Sequence, residues 1–140
     1  MTNKNKPYQI YEIKVGMSAS LTHAITDEDV RKFADLSGDY NPVHLDEKYA
    51  EQSRYKKRIA HGLLSAGFFS ALFGTKLPGR GCVYVSQNLA FKRPVYLDDL
   101  VVATVTVTSI DIEKKRVFFE TVCTVNNKKV IDGSAELYIP

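Results

Sequence analysis

Residues 62–74 are the feature that most constrains the fold of this 140-residue chain. The segment reads GLLSAGFFSALFG: it is apolar on nearly every side, lacks β-branched residues and places small residues between large ones. A helix without a polar face has to be enclosed by the rest of the protein. At about 1.5 Å per residue this helix would be roughly 20 Å long, which matches the width of a sheet curved around it. The following Leu77-Pro78-Gly79 predicts the end of the helical part of the chain.

Four strands are predicted after this helix, because the sequence becomes rich in Val, Thr, Tyr, Phe and Ile. In the second of them, small apolar residues at 101, 103, 105 and 107 alternate with threonines at 104, 106 and 108. A period of two is typical of a sheet that is covered on one face. Polar segments at 113–116 and 126–129 predict hairpin turns between the last three strands. The strands are predicted over 82–91, 100–112, 117–125 and 130–139.

The first part of the chain predicts one strand and two helical segments. The strand covers 17–25, and a longer helix runs from Thr26 to about Ser37. Thr26 is a good N-cap, and three acidic residues follow it in the first turn, where the helix dipole favours negative charge. Apolar residues at 30, 33 and 34 have the spacing of a buried stripe. One or two further helical turns are predicted over 46–52.

This order of elements predicts an α+β fold in one domain spanning 1–140, with a frayed tail at 1–7. A strongly curved antiparallel sheet rolled around the apolar helix buries that helix best. A flatter sheet with helices on one face would leave one side of the helix in water, and residues 62–74 offer no polar side for it.

Composition excludes several classes of protein. Hydrophobic residues make up 44% and charged residues 25% of the chain, as in a soluble globular protein, and no apolar stretch is long enough to span a bilayer. The polar, lysine-rich start does not resemble a signal peptide, so we expect a cytoplasmic protein without a membrane partner. A formal charge of +3 is too small to predict nucleic-acid binding. Cys82 and Cys123 are expected to be small buried side chains rather than a disulfide.

The segment GDYNPVH at 38–44 carries the residues most suited to chemistry. Gly38 allows a positive φ at the end of the preceding helix, and Pro42 keeps Asn41 out of the α region, so we expect a stiff, non-helical loop. Asp39 and His44 offer a carboxyl group and an imidazole, two types of side chain that differ in their ordinary pKa, and could together hold a water molecule and move its protons. The same residue types also form ordinary turns, so the segment alone leaves a purely structural role open.

Longer stretches around this segment resemble a known family. FADLSGDYNPVH at 33–44 with Ala50 beyond it, IAHG at 59–62 and QNLAFKRPV at 87–95 are similar to the MaoC-like, or (R)-specific enoyl-CoA, hydratases of hot-dog fold. The resemblance implies a curved antiparallel sheet wrapped around the helix, with a hydratase segment overhanging it. It also implies reversible addition of water to trans-2-enoyl-CoA, giving (R)-3-hydroxyacyl-CoA.

By this resemblance, Asp39 and His44 form the catalytic dyad and the backbone N–H of Gly62 receives the thioester oxygen. Gly62 would begin the apolar helix, where N–H groups are unpaired and the dipole is positive. One member of the dyad takes a proton as the water oxygen attacks C3, and the other delivers a proton to C2. The sequence leaves these roles open, and the resemblance favours His44 for the water and Asp39 for C2.

Three other residues have alternative interpretations. Asn41 either fixes the loop by hydrogen bonds or contacts the reacting water. Ser70 lies where related hydratases carry a serine near the dyad, but it could equally bond to the carbonyl of the preceding turn. His61 would complete a set of two histidines and one carboxylate of the kind that binds non-haem iron. Because hydration needs no metal, we expect none, and no cofactor besides the coenzyme A of the substrate. His23 is interpreted as structural.

The partners predicted from the sequence are an acyl-CoA, possibly an acyl carrier protein, and a second copy of the chain. Five basic residues in two clusters are candidates for binding the phosphates of coenzyme A. A single hot-dog unit exposes an edge strand, so a homodimer is expected. Three other activities stay open: (R)-3-hydroxyacyl-ACP dehydration in fatty-acid synthesis, thioester hydrolysis, and a non-catalytic acyl-binding subunit. The basic candidates are Lys56, Lys57, Arg58, Lys92 and Arg93.

Overall fold

A five-stranded antiparallel sheet forms the body of the protein in a computed structural model, which describes residues 6–140. The strands follow the order β1-β3-β4-β5-β2, so β3, β4 and β5 form a meander and the first two strands of the chain lie at its edges. The α+β prediction is confirmed. The strands are β1 (Ser18–Ala24), β2 (Val83–Phe91), β3 (Leu100–Asp111), β4 (Arg116–Val125) and β5 (Lys128–Tyr138).

The alternation predicted for β3 determines which face of the sheet is covered. Val101, Ala103, Val105 and Val107 are at most 1% exposed, whereas the threonines between them are only partly covered or exposed. The covered face packs against α4 (Gly62–Thr75), which contacts four of the five strands. The central contact is aromatic: the ring centroids of Phe73 on α4 and Phe119 on β4 lie 4.7 Å apart.

The predicted helix after β1 is confirmed as α1 (Asp27–Ser37). Specific residues at each end explain where this helix begins and ends. Thr26 and Asp29 form a reciprocal capping box, in which each side chain accepts a hydrogen bond from the backbone N–H of the other. At the other end Gly38 has φ +82°, the left-handed conformation that glycine adopts without strain. The chain therefore leaves α1 in a fixed direction and enters the segment that carries Asp39.

Two short helices follow α1, and one of them corrects the prediction of a non-helical loop. Residues Pro42–Leu45 form a one-turn helix, α2, which includes His44, while the predicted turns after it are present as α3 (Glu47–Glu51). Pro42 is tolerated because it occupies the first helical position, where no N–H is needed. Proline therefore begins a helix here, and only Asn41 before it has the extended conformation that we expected.

The expectation that α4 is enclosed on all sides is wrong for the single chain. The sheet covers Ser65, Phe69, Leu72 and Phe73, but the opposite side of the helix is open. We call this opposite side the open strip; Leu63 within it is 59% exposed. The strip consists of Leu63, Gly67, Ser70 and Ala71. One sheet can cover only one side of a helix. Because α4 has no polar face, its open side indicates that a second partner covers it, rather than that the sheet surrounds the helix completely.

Smaller expectations have mixed outcomes. A 3-10 turn at Ile10–Glu12 was not predicted. Most of the tail expected to be frayed lies outside the described residues. Both cysteines are free, as expected, but only Cys123 is buried, whereas Cys82 is half-buried. Burial raises the pKa of Cys123 to about 12. Within residues 6–140, none of the helices has the length and apolar character needed to cross a membrane.

Candidate active site

A cavity of about 470 Å³ lies where the segment after α1 meets the start of α4. Its lining includes Asp39, His44, His61, Gly62 and Ser65, so the two dyad residues and the predicted oxyanion donor face one space. Segments far apart in the sequence thus meet at one site because α2 lies beside the N-terminus of α4.

Asp39 and His44 approach each other at the rim of this cavity. The distance from His44 Nε2 to Asp39 Oδ2 is 4.0 Å, and the Asp39 side chain is 49% exposed while that of His44 is 10% exposed. This separation is too long for a direct hydrogen bond and short enough for both groups to contact one small molecule. The Asp39 backbone is held in place, since its N–H donates to Ser37 Oγ at 3.1 Å and its carbonyl accepts from His61 Nε2 at 3.0 Å.

The hydrogen bond of the other His44 nitrogen fixes the state of the ring. Nδ1 lies 2.7 Å from the carbonyl oxygen of Ile59. Because a carbonyl can only accept, Nδ1 carries the proton, and the neutral ring has its lone pair on Nε2. That lone pair faces Asp39 and the cavity, so the geometry makes Nε2 the basic atom of the pair.

The surroundings of His44 also keep its ring neutral. Burial lowers the pKa of His44 below its ordinary value, and the neighbouring His61 adds to this effect. The Ile59 carbonyl and the Asp39 carboxylate act in the opposite direction without reversing the shift. At neutral pH His44 is therefore ready to accept a proton.

His61 stacks directly on His44, with ring centroids 3.9 Å apart and planes inclined by 29°. Its Nε2–H donates to Asp39, and its buried Nδ1 has no hydrogen-bond partner among residues 6–140. Asp39, His44 and His61 offer ligand atoms within 4.8 Å of one another, the spacing of a possible metal site. The Nε2–H of His61 is already bonded to the Asp39 carbonyl, so Nδ1 is the nitrogen of His61 that could serve as a ligand. The expectation of no metal stays a prediction.

Gly62 lies at the first position of α4, where the N–H has no acceptor within the helix. His61 is the N-cap, and its side chain makes no capping hydrogen bond. A Cβ atom on residue 62 would lie 2.6 Å from two ring carbons of Phe91, so glycine is required for the aromatic ring to pack against this backbone. The free N–H therefore lies under an aromatic wall at the positive end of a helix.

The two supporting residues predicted from the sequence have different positions. Asn41 caps α2, with its side-chain oxygen accepting from the N–H of Val43 at 3.3 Å, which is the loop-fixing arrangement. Ser70 belongs to the open strip and does not line the cavity, so its expected proximity to the dyad is wrong for the single chain. Ser65 does line the cavity: its Oγ is fully buried and has no hydrogen-bond partner among residues 6–140. The helical spacing from Gly62 to Ser65, almost one turn, could have indicated this residue.

The basic residues predicted to bind phosphates divide between two places. Lys92 and Arg93 line the dyad cavity, and Arg54, which the sequence analysis did not select, joins them there. Lys56, Lys57 and Arg58 instead line a separate depression of mixed charge between α3 and the segment after β2. The prediction that Arg58 binds phosphate is corrected, because this residue is only 8% exposed and its guanidinium is bonded to Asp27 and to the backbone of His44.

The remaining predicted histidine has a structural contact. His23 on β1 pairs with Asp29 of the α1 capping box at 2.8 Å, and neither residue lines the cavity. This contact joins the first strand to the start of the helix, as expected of a structural residue.

The fold and this site together define a class of protein. A curved antiparallel sheet packs on a central helix, and a carboxylate and a neutral imidazole lie across a cavity from the first N–H of that helix, as in hot-dog hydratases. Comparison with known proteins agrees: residues 9–133 match the family described as the MaoC like domain. The chain belongs to this MaoC-like family.

Individual relatives are similar over nearly the whole chain. The (R)-specific enoyl-CoA hydratase of Rhodospirillum rubrum is 54% identical over 129 residues, covering 92% of this chain and 90% of that protein. The 3-hydroxybutyryl-CoA dehydratase of Methylorubrum extorquens is 41% identical over 92% of this chain and 82% of its own length. Among solved structures, an unliganded R-hydratase from Pseudomonas aeruginosa matches with a TM-score of 0.90 and 42% identity, covering 97% of this chain and 86% of that one.

Proposed function

We propose that this protein is an (R)-specific enoyl-CoA hydratase, a hydro-lyase that reversibly adds water to trans-2-enoyl-CoA to give (R)-3-hydroxyacyl-CoA. The observation that carries the proposal is the lone pair of His44 Nε2, which faces Asp39 at 4.0 Å inside a cavity that also contains the start of α4. The similarity to a relative with the same named activity supports the substrate class.

In the proposed mechanism, one water molecule lies between the dyad residues. His44 Nε2 takes a proton from the water as its oxygen attacks C3, and the protonated Asp39 delivers a proton to C2. His44 gains one proton and Asp39 loses one, so proton exchange between the two residues restores the starting state. In the dehydration direction the Asp39 carboxylate removes the C2 proton and protonated His44 releases the hydroxyl group as water.

The charge that develops during the reaction is placed against Gly62. Attack at C3 pushes negative charge onto the thioester oxygen, and an N–H aimed at that oxygen stabilises the enolate more than the substrate. In other enzymes, loss of one such donor lowers turnover by about 10²-fold to 10³-fold. The Phe91 ring packs against Gly62, and the absence of a side chain at residue 62 leaves room for the ring there.

The coenzyme A tail is proposed to leave the cavity past Arg54, Lys92 and Arg93. All three line the same space as the dyad, and cationic side chains bind phosphate groups well. The same charges would also suit an acidic carrier protein, so CoA and carrier-protein thioesters have to be compared directly.

A homodimer is proposed to complete the molecule. β2 is an edge strand with Val83, Tyr84 and Val85 each 39–48% exposed, and the open strip of α4 carries no charge and consists mainly of small residues beside Leu63. A second copy would pair with the strand edge and cover the strip. Sedimentation at several protein concentrations tests this: a mass of one chain at micromolar concentration would contradict it. The cytoplasmic location stays a prediction of the sequence.

The decisive experiment mixes the purified protein with crotonyl-CoA, follows loss of the enoyl absorbance, and couples the product to an (R)-specific dehydrogenase. Asp39→Asn and His44→Ala are each expected to lower turnover by about 10²-fold or more. Lys48→Gln, on the exposed surface of α3, is the control and is expected to leave turnover unchanged. Absence of turnover on enoyl thioesters of every chain length would refute the proposal, and near-native rates in both dyad variants would refute the assigned roles.

A further inference from the structure

Among residues 6–140, Arg58 is a buried charged residue that the proposed mechanism does not use. Its Nε–H donates to the carbonyl oxygen of His44 at 2.7 Å, and its Nη2 donates to Asp27 Oδ1 at 2.6 Å. The side chain is 7% exposed, whereas that of Asp27 is 53% exposed. The arginine thus reaches from the interior of the protein to a carboxylate at its surface.

These two hydrogen bonds argue against a role for Arg58 in binding phosphate. A buried cation has to be paired and hydrogen-bonded, because transfer of an unpaired charge from water costs several kcal/mol. Its two partners already supply that pairing. Moving the guanidinium to a phosphate would leave the His44 carbonyl without this donor and would break the contact with Asp27.

The bond to His44 supports a backbone group that α2 cannot satisfy by itself. A one-turn helix leaves its last carbonyl groups without partners, and His44 lies in its last turn. Arg58 donates to that carbonyl, and the next residue, Ile59, accepts the Nδ1 proton of the His44 ring. Two consecutive residues therefore hold both the main chain and the ring of the same histidine.

The bond to Asp27 ties this arrangement to α1. Asp27 is the first residue of α1, and the same helix ends at Gly38, immediately before Asp39. Asp27 is also held by Arg31 one turn further along the helix, at 3.0 and 3.1 Å. Arg58 thus joins α1, which ends directly before Asp39, to α2, which carries His44.

We propose that Arg58 is a positioning residue, which sets the distance between His44 and Asp39 by joining α2 to α1, and that it makes no contact with the substrate. This proposal rests on the proposed function, in which these two residues form the dyad. A misplacement of about 1 Å can lower turnover by roughly 10²-fold, so loss of this link should act on the chemical step.

The test uses Arg58→Met and Arg58→Lys with two substrates: crotonyl-CoA and the truncated thioester of crotonate with N-acetylcysteamine, which lacks the nucleotide. Methionine fills a similar volume without a charge, and the half-exposed Asp27 keeps Arg31, so Arg58→Met leaves no buried charge unpaired. We expect kcat to fall by about 10²-fold on both substrates in Arg58→Met, with KM values within about threefold of wild type. Arg58→Lys keeps one donor group, so its kcat is expected to lie between those of wild type and Arg58→Met. Lys48→Gln is the control.

A different result would overturn the proposal. If Arg58 binds coenzyme A, KM rises for crotonyl-CoA alone and kcat on the truncated thioester stays at the wild-type value. Wild-type kcat on both substrates in Arg58→Met would likewise refute a positioning role.

A second measurement separates this proposal from the proposed function. The proton on His44 Nδ1, bonded to Ile59, gives a downfield NMR signal, and assignment requires only three histidines to be distinguished. We expect this signal to broaden or disappear by faster exchange in Arg58→Met and to persist in Lys48→Gln. A persistent signal in Arg58→Met refutes the proposal even if the wild-type protein hydrates no thioester. Loss of the signal supports it independently of activity.

Discussion

Replacement of Ser65 by alanine is predicted to stabilise the protein. The side chain is fully buried in α4, and its Oγ has no hydrogen-bond partner among residues 6–140. A buried polar group without a partner costs about 1–3 kcal/mol, and alanine removes that group with a loss of only one atom of packing. Alanine also has the higher helix propensity, by about 0.5 kcal/mol. The sum predicts a gain of roughly 1–2 kcal/mol in the free energy of unfolding after the lost contacts are subtracted.

Ser70→Ala is the matched control, because Ser70 lies on the exposed side of the same helix. In the single chain it should show the propensity gain alone. Because the proposed dimer would cover Ser70, the sedimentation of Ser70→Ala has to match that of wild type before the two variants are compared. Urea unfolding of wild type and both variants at one protein concentration measures the difference, and a gain of 1–2 kcal/mol corresponds to a rise in Tm of about 3–6 °C. The fixed concentration matters because association changes the apparent stability.

A Ser65→Ala variant that is no more stable than wild type, beside a Ser70→Ala variant with its small gain, would refute this reasoning. It would show that the Ser65 hydroxyl is satisfied in solution. Turnover of crotonyl-CoA by the same samples adds a second result. A variant that is more stable but at least tenfold slower would show that the protein retains this hydroxyl for the substrate at a cost in stability.

Two further predictions concern pH and packing. Burial and His61 lower the pKa of His44, and the base must be neutral to accept a proton from water, so protonation of His44 should lower kcat for hydration only at pH values below about 6.5. An acidic limb of the pH–rate profile that already begins above pH 7 would contradict this. Gly133→Ala should destabilise the protein by about 1–3 kcal/mol in urea unfolding, because a Cβ there would lie 2.1 Å from the backbone oxygen of Asn88 on the paired strand. Gly74→Ala, where a Cβ meets nothing within 4 Å, is the control, and equal effects of both changes would refute the packing argument.

Much of the fold could be predicted because the relevant signals are local. The N-cap at Thr26, the glycine that ends α1 and the alternation along β3 each act over a few residues, and the structure contains all three. The apolar sequence of residues 62–74 also predicted that this helix packs against the sheet. What the pattern could not show is how many surfaces cover this helix, because a single chain and an assembly require the same apolar sequence.

The candidate site was predictable only where the residues belong to one segment. Asp39 and His44 are five positions apart, and the turn chemistry between them brings their side chains together. Arg58 appeared to belong to a basic surface cluster because Lys56 and Lys57 precede it directly in the sequence. Its burial depends on Asp27, 31 positions away, and no local signal contains that contact. Ser65 and Ser70 likewise differ only in the side of the helix on which they lie.

The unpaired edge of β2 beside the open strip of α4 has a consequence for a newly synthesised chain. Backbone groups along such an edge can pair with any extended segment, and the adjacent apolar surface strengthens a wrong encounter as well as a correct one. Recovery of native protein during refolding should therefore pass through a maximum as the chain is concentrated. At high dilution the correct partner is met too rarely, and at high concentration disordered aggregates form first.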